Sequence, residues 1–210
     1  MSEDPTDPPG LGTLPVTRLL EELGSARPIP GGGSVAGITN GLAAGLGGMV
    51  VAYSLGKPRL AEHQSMLEEA DRTLAGLRAR SIEEADGDAR AYRSLNALWT
   101  LDRDDPQRIE GFQSAVEGAI AAPGAIMETS AELLDCLGGL AGRSARHLAS
   151  DLAIAVELAA TAGRAAERNV AVNLPLLEDD ARRAELDGRY GGLGQRIDEC
   201  ARGIIGNMDG

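Results

Sequence analysis

The chain has 210 residues, enough to enclose one full hydrophobic core, and 43% of them are hydrophobic, which excludes a disordered polymer except at the ends. A net charge of -12, from 32 acidic and 20 basic residues, gives no phosphate neutralisation, and with no basic run or aromatic ladder nucleic acid is excluded as a partner. Aromatic residues make up only 2%, so the core must come from Ala, Leu, Val and Gly, which suit close helix packing better than a sheet.

The first residues, MSEDPTDPPG, are acidic and Pro-rich, the opposite of a secretory leader. Residues 1–12 read as a disordered leader and residues 13–210 as a single helical domain. Thr13 is placed to cap a short helix through Leu23, with Pro15 in its first turn and Gly24 as its stop. Pro28 and Pro30 then hold an extended stretch that runs into Gly31, Gly32 and Gly33. Ser34 opens a helix that ends near Gly56, and no charged side chain occurs between Gly31 and Gly56. That stretch is long enough to cross a bilayer. Its Ser34, Thr39, Asn40, Tyr53 and Ser54 and its high Gly and Ala content favour a buried core helix instead.

Within this helix Gly33, Gly37, Gly41 and Gly45 recur every four residues and share one stripe. Each interior glycine costs about 1 kcal/mol relative to alanine, so four in register predict a tight helix–helix crossing. Self-association through the stripe is a second use of it. A very long helix follows over residues 61–101, with a stripe of Leu67, Ala70, Leu74, Leu77, Ser81, Asp88, Tyr92, Leu95 and Trp99, and Asp104-Asp105-Pro106 stops it. Further helices are expected over residues 107–121, 123–137, 144–172 and 175–205, and no segment alternates as a strand does. The fold class is all-α: a helical bundle with one very long helix and one glycine-rich buried helix. Cys136 and Cys200 stand in no CxxC pair, which fits a reducing cytoplasm. With only His63 and His147, a zinc site built from His and Cys is not expected, and no metal is assigned.

Three groups of residues carry candidate chemistry. Residues 30–34, Pro-Gly-Gly-Gly-Ser, allow close approach and present free helix N–H groups, yet match no nucleotide-binding motif. As a bare pattern, the segment is more often a structural turn than a ligand site. Asp88 lies in line with the apolar stripe, where a carboxylate needs either a partner or a purpose; Asp86 points to the other side. Ser150 and Asp151 form the third group with Asn169, five helical turns on, about 27 Å along an unbroken helix. They therefore serve opposite ends of an extended ligand or sites in different subunits. Asn173 reads as a helix terminator before Leu174-Pro175.

The stretch 28–37, Pro-Ile-Pro-Gly-Gly-Gly-Ser-Val-Ala-Gly, with Gly41-Leu42-Ala43-Ala44 and Gly56-Lys57, resembles the N-terminal signature of the cyclodeaminase/cyclohydrolase family. Asp86-Gly87-Asp88-Ala89-Arg90-Ala91-Tyr92, Ser150-Asp151-Leu152-Ala153 and Asn169-Val170-Ala171-Val172-Asn173 match in order. Departures are Leu60 where Tyr is common, Ala145 and His147 where asparagines are common, and Trp99-Thr100-Leu101 in place of a Pro-Lys ending.

The resemblance implies an all-helical, typically dimeric enzyme of one-carbon metabolism. Its substrate would be a tetrahydrofolate derivative, with no tightly bound cofactor and no membrane. It further implies Asp88, Asp151 and Lys57 as catalytic groups and Gly31, Gly32, Gly33, Ser34, Ser150 and Asn169 as substrate-binding groups. Of the two family reactions, hydrolysis of 5,10-methenyltetrahydrofolate is expected over cyclodeamination, because no formiminotransferase domain is fused to the chain. The remaining alternatives are a catalytically silent folate-binding or scaffolding dimer and a membrane-associated helix.

Overall fold

The computed structural model of the chain describes residues 10–209. Among them are six α-helices and no strand: α1 (Val16–Leu23), α2 (Gly32–Ser54), α3 (Gln64–Trp99), α4 (Pro106–Leu140), α5 (Ala149–Asn173) and α6 (Asp180–Asp209). Of the expected leader, residues 1–9 lie outside the described residues, and Leu11–Thr13 form a 3-10 turn whose Leu11 N–H donates to Asp86 Oδ1 at 2.8 Å. Thr13 does not cap α1; its hydroxyl donates to the Gly10 carbonyl at 2.7 Å, and Pro15 stands at the cap position instead. Gly24 does end the helix.

Helices α2, α3, α4 and α5 form a ring in which α2 packs mainly on α3 and α5 and more lightly on α4, while α6 covers α4 and α5. The core residues run through all of them, among them Leu67 and Leu74 of α3, Ile126 and Leu137 of α4, and Leu152 of α5. Along α2 the glycine stripe faces α3: a Cβ on Gly37 would lie 2.9 Å from the Ala85 backbone nitrogen, and one on Gly41 would meet Ile82 and Ser81. Gly47, six residues further, faces Leu137 and Leu74. The tight crossing expected from the four-residue period is therefore an antiparallel α2–α3 contact. Among the described helices α2 alone is long and apolar enough to cross a membrane, and half of its apolar window is buried inside the bundle.

Tyr92 and Trp99, expected on the buried stripe of α3, are 37% and 40% exposed. Since α2 begins opposite Asp88, the last turns of α3 extend past it and only the side bearing Ala89 and Leu95 stays covered. The break expected between residues 121 and 123 is absent as well: α4 runs unbroken through Pro123. Proline lacks the N–H that would bond to the carbonyl four residues back, and its ring crowds that carbonyl. Here that group is Ala119, and it accepts a hydrogen bond at 2.9 Å from the side-chain amide of buried Asn173 on α5. The neighbouring helix replaces the missing bond. Asn40, near the middle of α2, also crosses to α4, donating to the Ile126 carbonyl at 3.0 Å. The helices expected to start at residues 144 and 175 start later, because Arg146–Leu148 and Leu174–Leu176 form 3-10 turns first.

If the Asn173 amide takes the place of the Pro123 N–H, Asn173→Ala should cost about 1–3 kcal/mol in urea unfolding, the range for an orphaned buried polar group. In a Pro123→Ala background residue 123 supplies its own N–H, and the cost of Asn173→Ala should shrink by at least half. Equal costs in the two backgrounds would disprove the substitution of one bond for the other.

Candidate active site

The cis Ile29-Pro30 peptide leads into Gly31, which stands at the cap of α2 in extended backbone. The Val35 N–H closes the first turn on the Gly31 carbonyl at 3.0 Å, leaving the earlier N–H groups of the turn without intrahelical partners. Asp88 of α3 comes against this turn. A Cβ on Gly33 would collide with all three terminal atoms of the Asp88 carboxylate, so only glycine permits the approach. Ser34, fully buried, aims its hydroxyl at the Ala85 carbonyl at 3.0 Å and at Asp88 Oδ2 at 3.4 Å, and its backbone N–H also bonds to the carboxylate. Burial raises the Asp88 pKa above the ordinary carboxylate value, and the two bonds from Ser34 oppose that rise. The positive end of the α2 dipole acts in the same direction as Ser34.

From α5, Asn169 reaches the same place. Both atoms of its amide lie 3.7 Å from where a Gly32 Cβ would be, and its Nδ2 donates to the Ala165 carbonyl at 3.2 Å. Gly31, Gly32, Gly33, Ser34, Asp88 and Asn169 thus gather from three helices at one end of the bundle. The result is a half-buried carboxylate beside a neutral amide and free helix N–H groups, an arrangement that can take a proton from water and hold a polar heterocycle.

Lys57, Ser150 and Asp151 are placed elsewhere. Lys57 follows the far end of α2 and is exposed, as is Ser150; Asp151 lies half-buried in the first turn of α5. Ala145 and His147 mark the same end, the first donating its N–H to buried Ser54 Oγ at 2.8 Å and the second meeting the Tyr53 ring edge-on at 6.1 Å. The 23 residues of α2 separate the two ends by about 33 Å.

One acid was not anticipated. Glu84, a turn before Asp88, has its pKa raised to about 6, chiefly by burial, and accepts a hydrogen bond from Thr129 Oγ1 at 2.7 Å. In the mixed-charge sequence around it nothing separates Glu84 from exposed Glu83; only the contact with α4 does. A groove of about 550 Å³ between α5 and α6, lined by Glu157, Arg164, Asp198 and Arg202, includes none of the candidate residues. Among the described residues no cluster of three or more His, Cys, Asp or Glu side chains is arranged for a metal ion.

A sequence family described as Formiminotransferase-cyclodeaminase matches residues 15–190. The chain belongs to that family. It is 32% identical to a methenyltetrahydrofolate cyclohydrolase of Methylorubrum extorquens over 92% of this chain and 99% of that protein. It is also 28% identical to the formimidoyltransferase-cyclodeaminase of Sus scrofa over 93% of this chain, but spans only 37% of that longer protein. The fold matches the crystal structure of a formiminotetrahydrofolate cyclodeaminase from Thermotoga maritima with a TM-score of 0.88, covering 95% of this chain and 98% of that one at 20% identity.

Two substitutions test the arrangement at Asp88. Gly33→Ala should leave the helical circular dichroism unchanged while displacing the carboxylate and lowering turnover at least tenfold; undiminished turnover would separate Asp88 from the chemistry. Ser34→Ala removes a bond that holds the Asp88 pKa down, so the acid limb of the kcat/KM profile, where activity falls as Asp88 gains its proton, should move to higher pH. A limb that stays in place or moves to lower pH assigns it to another group.

Proposed function

We propose that the chain is a folate-dependent enzyme of one-carbon metabolism, a methenyltetrahydrofolate cyclohydrolase that converts 5,10-methenyltetrahydrofolate to 10-formyltetrahydrofolate. The observation that carries the reading is the Asp88 carboxylate, half-buried and held against the first turn of α2 beside Asn169. Likeness to the Methylorubrum cyclohydrolase over nearly its whole length favours hydrolysis among the family reactions.

The methenyl carbon bridges two folate nitrogens and shares their positive charge, so a nearby carboxylate stabilises it electrostatically. Asp88 takes a proton from water as the water oxygen bonds to that carbon, giving a tetrahedral adduct. The same proton returns to N5 as the carbon–N5 bond breaks, and the remaining hydroxyl proton leaves to solvent as the formyl group forms on N10. A raised pKa suits this exchange, because the carboxylate is then a stronger base toward water and holds the proton until N5 takes it. Gly31, Gly32, Gly33, Ser34 and Asn169 hold the pterin and position the carbon. Water and the folate supply every atom, and the reaction draws on no tightly bound cofactor or metal. Cyclodeamination is the second reading, supported by the cyclodeaminase relatives: N10 attacks a formimino carbon at the same site and ammonia leaves.

The enzyme acts as a homodimer in the cytoplasm, without a membrane. Its free Cys136 and Cys200 thiols agree with a reducing compartment.

Loss of the near-ultraviolet band of methenyltetrahydrofolate should be accelerated by the protein, and Asp88→Asn should lower kcat by about 10²–10⁴, the usual worth of a positioned acid–base. Ammonia release from formiminotetrahydrofolate without methenyl hydrolysis would select cyclodeamination; neither reaction would end both readings.

A further inference from the structure

We propose that the exposed aromatic stripe of α3 beyond Asp88 is a rail for the tail of the folate, with the aminobenzoyl ring lying on Tyr92 and the glutamate chain on Trp99. The proposal rests on the folate reading of the Asp88 site for its ligand and on the α3–α4 end of the bundle for its geometry.

The first observation is direction. The carbon that reacts at Asp88 lies between N5 and N10; N10 carries the aminobenzoyl ring, and the ring carries glutamate through an amide. A folate held there must run its tail away from the carboxylate. One way along α3 is closed by α2, which sets Gly33 and Ser34 on Asp88, Gly37 on Ala85 and Gly41 on Ser81 and Ile82. The other way is open, because α2 has ended and α3 continues to Trp99. Steps of four and seven residues keep Asp88, Tyr92 and Trp99 on one side of the helix. Tyr92 stands about 6 Å and Trp99 about 16 Å along the axis from Asp88. Ring first and glutamate second is also the order of the tail.

The second observation is how firmly the stripe is held. The chain has one Trp, one Phe and three Tyr, and the Trp, the Phe and one Tyr meet at this end of the bundle. A lone exposed aromatic is ordinary surface, but Trp99 is braced. Its ring meets Phe112 of α4 at 6.2 Å between centroids, and the Arg108 guanidinium lies 5.3 Å from the centre of the Phe112 ring. Arg108 Nη1 also donates to the carbonyls of Trp99 at 3.4 Å and Leu101 at 2.7 Å. The carbonyls of Asn96, Ala97 and Leu98 accept from the Thr100 N–H, the Thr100 hydroxyl and the Leu101 N–H, so the last turn of α3 leaves none of its carbonyls unmet. Leu95, between the two aromatics, is fully buried and ties the stripe to the core. Rings fixed in this way lose little freedom when a flat ring or an amide settles on them. A tail tethered by its own pterin at Asp88 also meets them at high effective concentration. The Trp99-Thr100-Leu101 ending departs from the family pattern, so the outer half of the rail is a feature of this chain.

Trp99 is the single tryptophan, so fluorescence of the unaltered protein reports on the rail alone. Saturation with tetrahydrofolate should cut acrylamide quenching of Trp99 by roughly half, as the tail covers the indole. In turnover of methenyltetrahydrofolate, Trp99→Ala should raise KM about three- to tenfold with kcat nearly unchanged, and Trp99→Phe should restore most of the loss. With 5,10-methenyltetrahydropteroate, which has the ring but no glutamate, Trp99→Ala should leave KM unaltered, whereas Tyr92→Ala should raise KM for both substrates. Quenching that does not change although calorimetry shows tetrahydrofolate bound, or a Trp99→Ala chain with equal KM effects on the two substrates, overturns the rail and leaves the hydrolase reading intact. So does a Trp99→Ala chain of unchanged KM and lower mass in light scattering, which assigns the aromatics to a contact between copies. Where tetrahydrofolate binds without turnover, the hydrolase reading fails and the quenching result alone decides the rail. A protein that neither binds nor turns over folate ends both.

Discussion

At Gly37 the point where a Cβ would sit lies 2.9 Å from the backbone nitrogen of Ala85, close enough that no side chain is tolerated without moving one helix. This backbone-to-backbone contact between α2 and α3 sets the depth at which the two helices lie against each other. Asp88, almost one turn along α3, is then carried onto Gly33 and Ser34. Were α2 held further off by even one methyl layer, the carboxylate would face solvent instead of a helix terminus. The glycines of α2 each sacrifice about 1 kcal/mol of helix stability, and what they return is position: a carboxylate half-desolvated at the positive end of a helix.

Buried amides fix the remaining alignments. Asn40 ties the middle of α2 to the Ile126 carbonyl and is itself 3.0 Å from the Ser130 hydroxyl, while Asn173 ties the end of α5 to the carbonyl that Pro123 leaves free. Each of these groups is costly if its partner slips, so each selects one register between helices whose Ala, Leu and Gly surfaces would otherwise slide with little penalty. Asn173 also donates to the Asn169 carbonyl, one turn back, which steadies the turn that presents Asn169 to Gly32. The site is therefore supported from α4 although no candidate residue belongs to α4.

Much of this was legible in the sequence because it follows from period. Glycines spaced by four residues had to lie on one stripe, and seven-residue steps through Leu74 and Ser81 put Asp88 in line with buried positions; both are local regularities of a helix. The ordered motifs that resemble the cyclodeaminase/cyclohydrolase family named the remaining candidate residues. What the sequence hid depends on partners distant in the chain. Pro123 reads as a break unless Asn173, fifty residues later, is known to satisfy Ala119. Glu84 is indistinguishable from Glu83 until Thr129 of α4 is set against it. Tyr92 and Trp99 keep the spacing of a buried stripe, but whether anything covers that stripe depends on where α2 begins.

The uncharged composition of α2 then has two causes rather than one. Burial explains the positions that face α3, α4 and α5, such as Ala36, Asn40, Ala43 and Val50. It does not explain Leu42 and Tyr53, more than half exposed, in a chain whose residues are one-quarter charged. A solvent-facing stripe on an otherwise acidic molecule would ordinarily carry Glu, Lys or Arg, since water rewards charge there and helix propensity is unharmed. Keeping that face apolar along its full length, from the glycine entrance to Tyr53, separates the groups at the two ends of α2 by a surface suited to another protein surface.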